Sequence, residues 1–180
     1  MVNFLEGVDK SMSTKRIHLT PFETTHIQYL HKWLNDERAI RMIGRTPLTY
    51  EEVVQEVEKK RMNSDLILGI KSDEQELVGW VFLKDIDYAH GRASIGILLS
   101  SESRGHGYGR MAMEQMIDLG FKQLRLNKIY LTTRGINKQA IALYEKIGFV
   151  TEGKLRNHAY VDGKYVDTYF MGILASEWNK

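Results

Sequence analysis

Residues 92–124 read RASIGILLSSESRGHGYGRMAMEQMIDLGFKQL, and the order of textures within that stretch decides the fold. Arg92 to Leu99 is a strand that turns almost continuously apolar from Ile95, the pattern of a central strand covered on both faces. The loop Arg104-Gly105-His106-Gly107-Tyr108-Gly109 follows. Beyond it Met113, Met116, Ile117, Gly120, Phe121 and Leu124 recur at i, i+3, i+4, i+7, i+8 and i+11, which is a helix with one buried stripe. Buried strand, glycine loop and helix in that order make an anion cradle: glycines let the backbone approach closely, and the amides at the helix start point outward. Arg104 and Arg110 add guanidinium groups at the same place, so a diphosphate suits both the backbone and the charge.

On the N-terminal side, Arg16 to Leu19 reads as a short strand, and Ile27, Leu30 and Leu34 then recur at helical spacing beside Trp33. Pro21 and Pro47 each fall just ahead of a helical pattern, as boundary residues. Thr49 with Glu52 forms a capping box ahead of the stripe Val53, Val54 and Val57. Leu66 to Lys71 and Leu77 to Leu83 form a hairpin about the polar turn 72–76, with Gly79 marking a bulge or a close approach. On the C-terminal side Lys128 to Thr133 is a strand, and Asn137 caps a helix from Lys138 to Ile147 that Gly148 ends. Phe149 begins the next strand, and Leu155 to Val161 and Lys164 to Phe170 flank Asp162-Gly163, a strong hairpin signal. The sum is an α/β sandwich on a mixed sheet, a meander joined to one or two crossover units.

The composition narrows the function classes. The chain has 180 residues, 43% hydrophobic and 27% charged, which is the range of one ordinary globular domain. Residues 1–13 are expected to be a flexible extension and residues 14–180 a single domain. Net charge is +2 with both signs interspersed, so no basic stripe argues for nucleic acid. The absence of cysteine removes disulfides and thiolate chemistry and fits a reducing, cytoplasmic compartment. Glu6, Asp9 and Lys10 interrupt any apolar run at the N-terminus, and no stretch approaches the ~20 apolar residues that cross a bilayer, so neither a signal peptide nor a membrane is expected. The six histidines show no metal-ligand spacing, and no metal is expected.

Two nucleotide motifs are excluded by spacing. G-x-G-x-G lacks the second gap of the dinucleotide fingerprint, and no Lys-Ser/Thr pair follows as a P-loop requires. What the residues do match is Arg104-x-x-Gly107-x-Gly109 after a central strand, with Asn137-x-x-Ala140-x-x-x-Tyr144-x-x-x-Gly148-Phe149 further on. These resemble the two cofactor-side motifs of the GCN5-related N-acetyltransferase (GNAT) superfamily. Trp33-Leu34-Asn35-Asp36, Leu126-Asn127-Lys128-Ile129-Tyr130 and Glu152-Gly153-Lys154-Leu155-Arg156 extend the resemblance to the branch of ribosomal-protein N-terminal and bacterial spermidine acetyltransferases. The resemblance implies a mixed, mostly antiparallel sheet flanked by helices, with a splayed strand at an acetyl-CoA site. In such proteins the backbone of that strand, here Leu98 and Leu99, pairs with the pantetheine arm. The amides from Gly105 through His106, Gly107, Tyr108 and Gly109, with Arg104, Arg110 and Asn137, would hold the cofactor.

The implied reaction needs no metal: a neutral amine attacks a thioester, an oxyanion develops and a thiolate leaves. Tyr144 stands where the family places the acid for the sulfur. Relatives often carry a glutamate where this chain has Ser94, which is not a base unaided, so Ser94 is expected to orient a water, with Asp85, Asp87, His90 or Glu152 supplying basicity. The expected acceptor is a primary amine on a small molecule such as a polyamine or an amino sugar; a protein N-terminus, or a non-catalytic acyl-CoA-binding module, are the alternatives. The acidic pairs Asp36-Glu37 and Glu51-Glu52 lean toward a cation, and the terminal hairpin offers an edge for a homodimer.

Overall fold

The computed structural model describes residues 16–73 and 77–179; the extension expected over residues 1–13 and the middle of the turn at 72–76 lie outside the described residues. Strands β1 (Ile17–Pro21), β2 (Leu66–Ser72), β3 (Gly79–Asp87), β4 (Arg92–Leu99), β5 (Lys128–Arg134), β6 (Val150–Val161) and β7 (Lys164–Leu174) build one seven-stranded sheet in the order β1-β2-β3-β4-β5-β7-β6. Helices α1 (Ile27–Leu34), α2 (Glu37–Ile43), α3 (Tyr50–Met62), α4 (Tyr108–Asp118) and α5 (Lys138–Ile147) cover it. Five of the six neighbouring strand pairs are antiparallel, and β4 with β5 is the parallel pair, joined through α4. A second crossover through α5 carries the chain from β5 to the outer strand β6, and β7 returns between them.

Each face of the sheet has its own core. On one face α4 buries Ala112, Met113, Met116 and Ile117 against Ile70, Val81, Leu83, Ile95 and Ile129. On the other, α1 and α3 pack Leu30, Trp33, Val53 and Val57 against Ile67, Trp80 and Phe82. The β4 strand lies at the centre, as its apolar run predicts. The α4 stripe continues through a π-helical turn over residues Leu119–Gln123, and the Trp178 indole N–H donates to Asp118 at 2.6 Å, tying the last residues to that helix.

Local signals decide the element ends. Thr49 and Glu52 close the capping box of α3, the Asn137 side chain accepts from the Ala140 amide at the start of α5, and Gly148 ends α5 at φ +119°. Asp162 and Gly163 turn the β6–β7 hairpin with φ of +49° and +77°. Two elements differ from expectation. Helix α2 has no counterpart in the hydrophobic pattern because Ala39 is its single buried residue; its ends are set by Asp36, whose carboxylate accepts from the Ala39 amide, and by Gly44 at φ +76°. The expected segments from Phe149 and from Leu155 are one strand, β6, whose register is shifted twice, between Thr151 and Gly153 and between Leu155 and Ala159. Among the described residues no helix is long and apolar enough to cross a membrane.

Gly79 marks a close approach: a Cβ there would press on the carbonyl oxygen of Leu98 in the neighbouring strand. Backbone does not yield as a side chain does, so Gly79→Ala is expected to lower stability by about 1–3 kcal/mol in denaturant unfolding. Gly153→Ala is the control, since its Cβ would meet nothing nearer than 3.9 Å, and it should stay within about 0.5 kcal/mol of the parent.

Candidate active site

The pairing of β4 with β5 stops early. Arg92, Ala93 and Ser94 pair with Lys128, Ile129 and Tyr130, and the two strands then part. From Ile95 to Leu99 the outer edge of β4 stays paired to β3, and from Leu131 to Arg134 the outer edge of β5 stays paired to β7. The facing inner edges therefore present backbone amides and carbonyls into a wedge, ready for an extended ligand. Both Leu98 and Leu99 line this wedge. It opens into a cleft of about 1620 Å³, beyond the ~300–1000 Å³ usual for a single small ligand. Two substrates fit in such a space.

At the wide end stands the glycine loop. Gly105 and Gly107 have φ of +80° and +82°, and a Cβ on either would meet nothing within 4 Å, so the loop surrounds open space. Helix α4 begins at Gly107 without a side-chain cap and with no acidic residue in its first turn, which leaves its N-terminal end suited to an anion. Arg104 and Arg110 line the cleft beside it, Arg104 reaching Asp36 at 3.5 Å and Arg110 held by Glu114 at 2.8 Å. The residues fit a diphosphate. The side chains of His106 and Tyr108 do not line the cleft: Tyr108 is buried in the α4 core and His106 stacks on it with ring centres 5.7 Å apart, so these two residues can offer only backbone to a ligand there.

Tyr144 enters the cleft from α5, its ring against Phe149. Burial pushes its phenol up to about 12, so the hydroxyl remains a protonated donor across the neutral range. Asn137 lines the same wall while capping α5. The structure thus gathers Leu98, Leu99, Arg104, Arg110, Asn137, Tyr144 and the loop glycines at one cleft.

Ser94 is placed elsewhere. It is buried on the last rung before the strands part, flanked by Lys84 on β3 and Tyr130 on β5, and it is not part of the cleft lining. The carboxylates considered beside it are also outside the lining. The His90 amide, the His90 ring and Arg92 hold Asp87 below the usual carboxylate range. Asp85 sits 3.6 Å from Lys84, and Glu152 is paired with Lys128 at 2.6 Å. Two ionisable lining residues were missed: Glu56 on α3 and His158 on β6. Glu56 could have been found only by knowing that α3 faces the cleft, and His158 only from the register of an irregular strand.

Helix α2 roofs the cleft with Arg38, Met42 and Ile43. Contacts from every side hold it: Asp36 to Arg104, Arg38 to Gln139 on α5, the Arg134 guanidinium on the Arg41 carbonyl at 2.7 Å, and Arg41 to Asp162 in the hairpin turn. Arg134 lies against Gly44, where a Cβ would overlap it, so the C-terminal end of α2 receives a cation where its dipole is negative. Among the described residues no three His, Asp or Glu side chains gather as a metal cage.

Known proteins share this architecture. The family description "Acetyltransferase (GNAT) domain" matches residues 16–150. Spermidine N(1)-acetyltransferase of Vibrio cholerae is 28% identical over 91% of this chain and 95% of its own. A crystal structure of spermidine N-acetyltransferase from Vibrio cholerae in complex with CoA and spermine superposes with a TM-score of 0.84 at 29% identity, covering 89% of this chain and 96% of that one. The putative ribosomal N-acetyltransferase YdaF of Bacillus subtilis is 32% identical over 57% of this chain and 56% of its own.

Gly107 tests the cradle. Gly107→Ala forces an L-residue to φ +82° and places a methyl in the open space of the loop. Titration calorimetry with CoA should show affinity reduced about tenfold, since left-handed strain costs roughly 1–2 kcal/mol; unchanged affinity would remove the diphosphate from this loop.

Proposed function

The chain belongs to the acetyltransferase (GNAT) family, and we propose that this acetyl-CoA-dependent N-acetyltransferase moves an acetyl group to a primary amine on a small molecule by direct attack on the thioester. The observation that carries the reading is the single cleft in which the open wedge of β4 and β5, the uncapped start of α4 and the Tyr144 hydroxyl come together. In this reading the loop amides with Arg104 and Arg110 take the diphosphate, and the backbone of Leu98 and Leu99 takes the pantetheine arm. Spermidine, the acceptor named for the Vibrio relative, and an amino sugar are the first acceptors to try.

The amine nitrogen forms a bond to the acetyl carbon as the carbon–sulfur bond breaks, and the nitrogen sheds a proton. Ser94, expected to orient a water, lies outside the lining, and Glu56 and His158 are the lining side chains able to take that proton. Tyr144 donates a hydrogen bond to the departing sulfur. With its phenol near 12 and a free thiol near ~8.5, full transfer to the sulfur runs uphill by more than three pK units, so Tyr144 stabilises the thiolate by donation and solvent completes the protonation.

We also read the outer edge of β6, twelve residues at the border of the sheet, as the surface of a homodimer. Light scattering of the eluted protein should give twice the 20.9 kDa chain mass, and a monomer at assay concentration would remove that part of the reading.

Two measurements test the chemistry. CoA release from acetyl-CoA over an amine panel, with mass spectrometry of the product, should show a gain of one acetyl on one acceptor. Tyr144→Phe should lower kcat roughly 10- to 100-fold, the worth of a hydrogen bond to a charged group, with the KM for acetyl-CoA little changed. Because the phenol ionises only near 12, the rate should show no descending limb belonging to Tyr144 between pH 8 and 10. A parent descending limb in that window that vanishes in Tyr144→Phe would contradict the assignment.

A further inference from the structure

The acceptor end of the cleft is what the donor-binding residues leave over, the walls built by α3, β3 and the β6–β7 hairpin. The ionisable side chains on those walls are Arg45, Glu56, Lys60, Lys84 and His158, with Arg38, Arg134 and Lys146 elsewhere in the cleft lining. Glu56 is the one carboxylate that lines the cleft among the described residues, and the Arg45 guanidinium already occupies it at 2.6 Å. Lys60 is held over the Phe82 ring at 4.6 Å, with Asp65 at 4.0 Å outside the lining, and Lys84 has the exposed Asp85 at 3.6 Å as its carboxylate partner among the described residues.

The acidic pairs that the sequence offered to a cation do not face this space. Asp36 caps α2 and meets Arg104, Glu52 closes the capping box on Thr49, and none of Asp36, Glu37, Glu51 and Glu52 lines the cleft. A polycation entering here meets lysine and arginine and finds the single counter-ion taken. An acceptor with a negative charge of its own meets the opposite field.

We infer that the acceptor is a primary amine that also carries an anionic group, a carboxylate or a phosphate, received by Lys84 and Lys60 beside the Arg45–Glu56 pair. This rests on the acetyltransferase reading above and narrows its acceptor. It sets the inferred acceptor apart from spermidine through charges on the cleft wall, with the donor site untouched.

The test is a steady-state comparison on the full chain with acetyl-CoA, in arms of spermidine, amino acids and dipeptides against their C-terminal amides, and amino-sugar phosphates against the dephosphorylated sugars. An anionic amine should exceed both its neutral counterpart and spermidine by about tenfold or more in kcat/KM, since tenfold is the scale of one close charge interaction. The carboxylate and phosphate arms tell the two sources of charge apart. Lys84→Glu should collapse that preference while CoA affinity, read by calorimetry, stays within about twofold.

Spermidine turned over best, or charged and neutral members of each pair turned over alike, overturns the inference and leaves the acetyltransferase reading intact. Failure to bind acetyl-CoA overturns the donor reading itself. Acetyl-CoA bound with no turnover in any arm overturns both the acceptor inference and direct attack.

Discussion

The structure depends on a failure of pairing. Strands β4 and β5 meet for three residue pairs and then separate, although each remains fully committed to its other neighbour. Buried amides and carbonyls without partners are costly, and a sheet that opens at its centre must satisfy them with water or with a ligand that itself looks like backbone. The amide-rich arm of a thioester cofactor answers that need. Everything else in the site is arranged about the wedge: the β4 end launches the glycine loop, the β5 end launches α5 with Tyr144, and the strands on either side anchor the split to two continuous cores.

Those cores explain why the wedge stays open and does not collapse. Ile95 and Ile129 are locked under α4 on one face, while Trp80 and Phe82 hold the other against α1 and α3. Gly96 admits the Phe82 ring where a Cβ would overlap it, so an aromatic wall stands beside the open edge of β4. Helix α2 is bound differently. It buries one residue and is otherwise held by ion pairs and side-chain hydrogen bonds to the loop, β5, α5 and the hairpin. Exposed pairs of this kind contribute about 0–1 kcal/mol each. The roof of the cleft is therefore the part of the site that yields most easily, and its contacts run to the residues that line the donor path.

The sequence shows the donor half of this arrangement because its signals are local. A glycine loop between a buried strand and a striped helix, a capping box at Thr49, an asparagine cap at Asn137 and an Asp-Gly turn each work within a few residues, and each sits where the sequence places it. The acceptor half depends on which side chains of distant elements face one another. Ser94 was expected to orient a water from its place on β4, yet it is buried on the last paired rung and lies outside the cleft lining. Helix α2 left no hydrophobic period, and the two shifts in β6 broke the alternation that would have aimed His158 into the cleft. Asp36-Glu37 and Glu51-Glu52 lie outside the cleft lining, since capping and surface roles consume such residues at helix starts.

The charge of the acceptor end also bears on the missing base. An alkyl amine near ~10.4 is neutral in about one molecule in a thousand at pH 7.4, a deficit of about 4 kcal/mol that a strong base must offset. An α-amine near ~7.7–8.0 is neutral in roughly a quarter of molecules and needs almost no help. Cations around an amine push its pKa down further, because they disfavour its charged form. In the proposed acceptor site Arg45, Lys60 and Lys84 would act on the nucleophile as well as on the choice of substrate, raising the neutral fraction of a single amine held beside them. Among the described residues Glu56 is the one lining carboxylate and it is paired to Arg45, so in the proposed site His158 is the lining side chain better placed to take a proton. An anionic amine that is already weakly basic, the acceptor inferred above, asks the least of such a base.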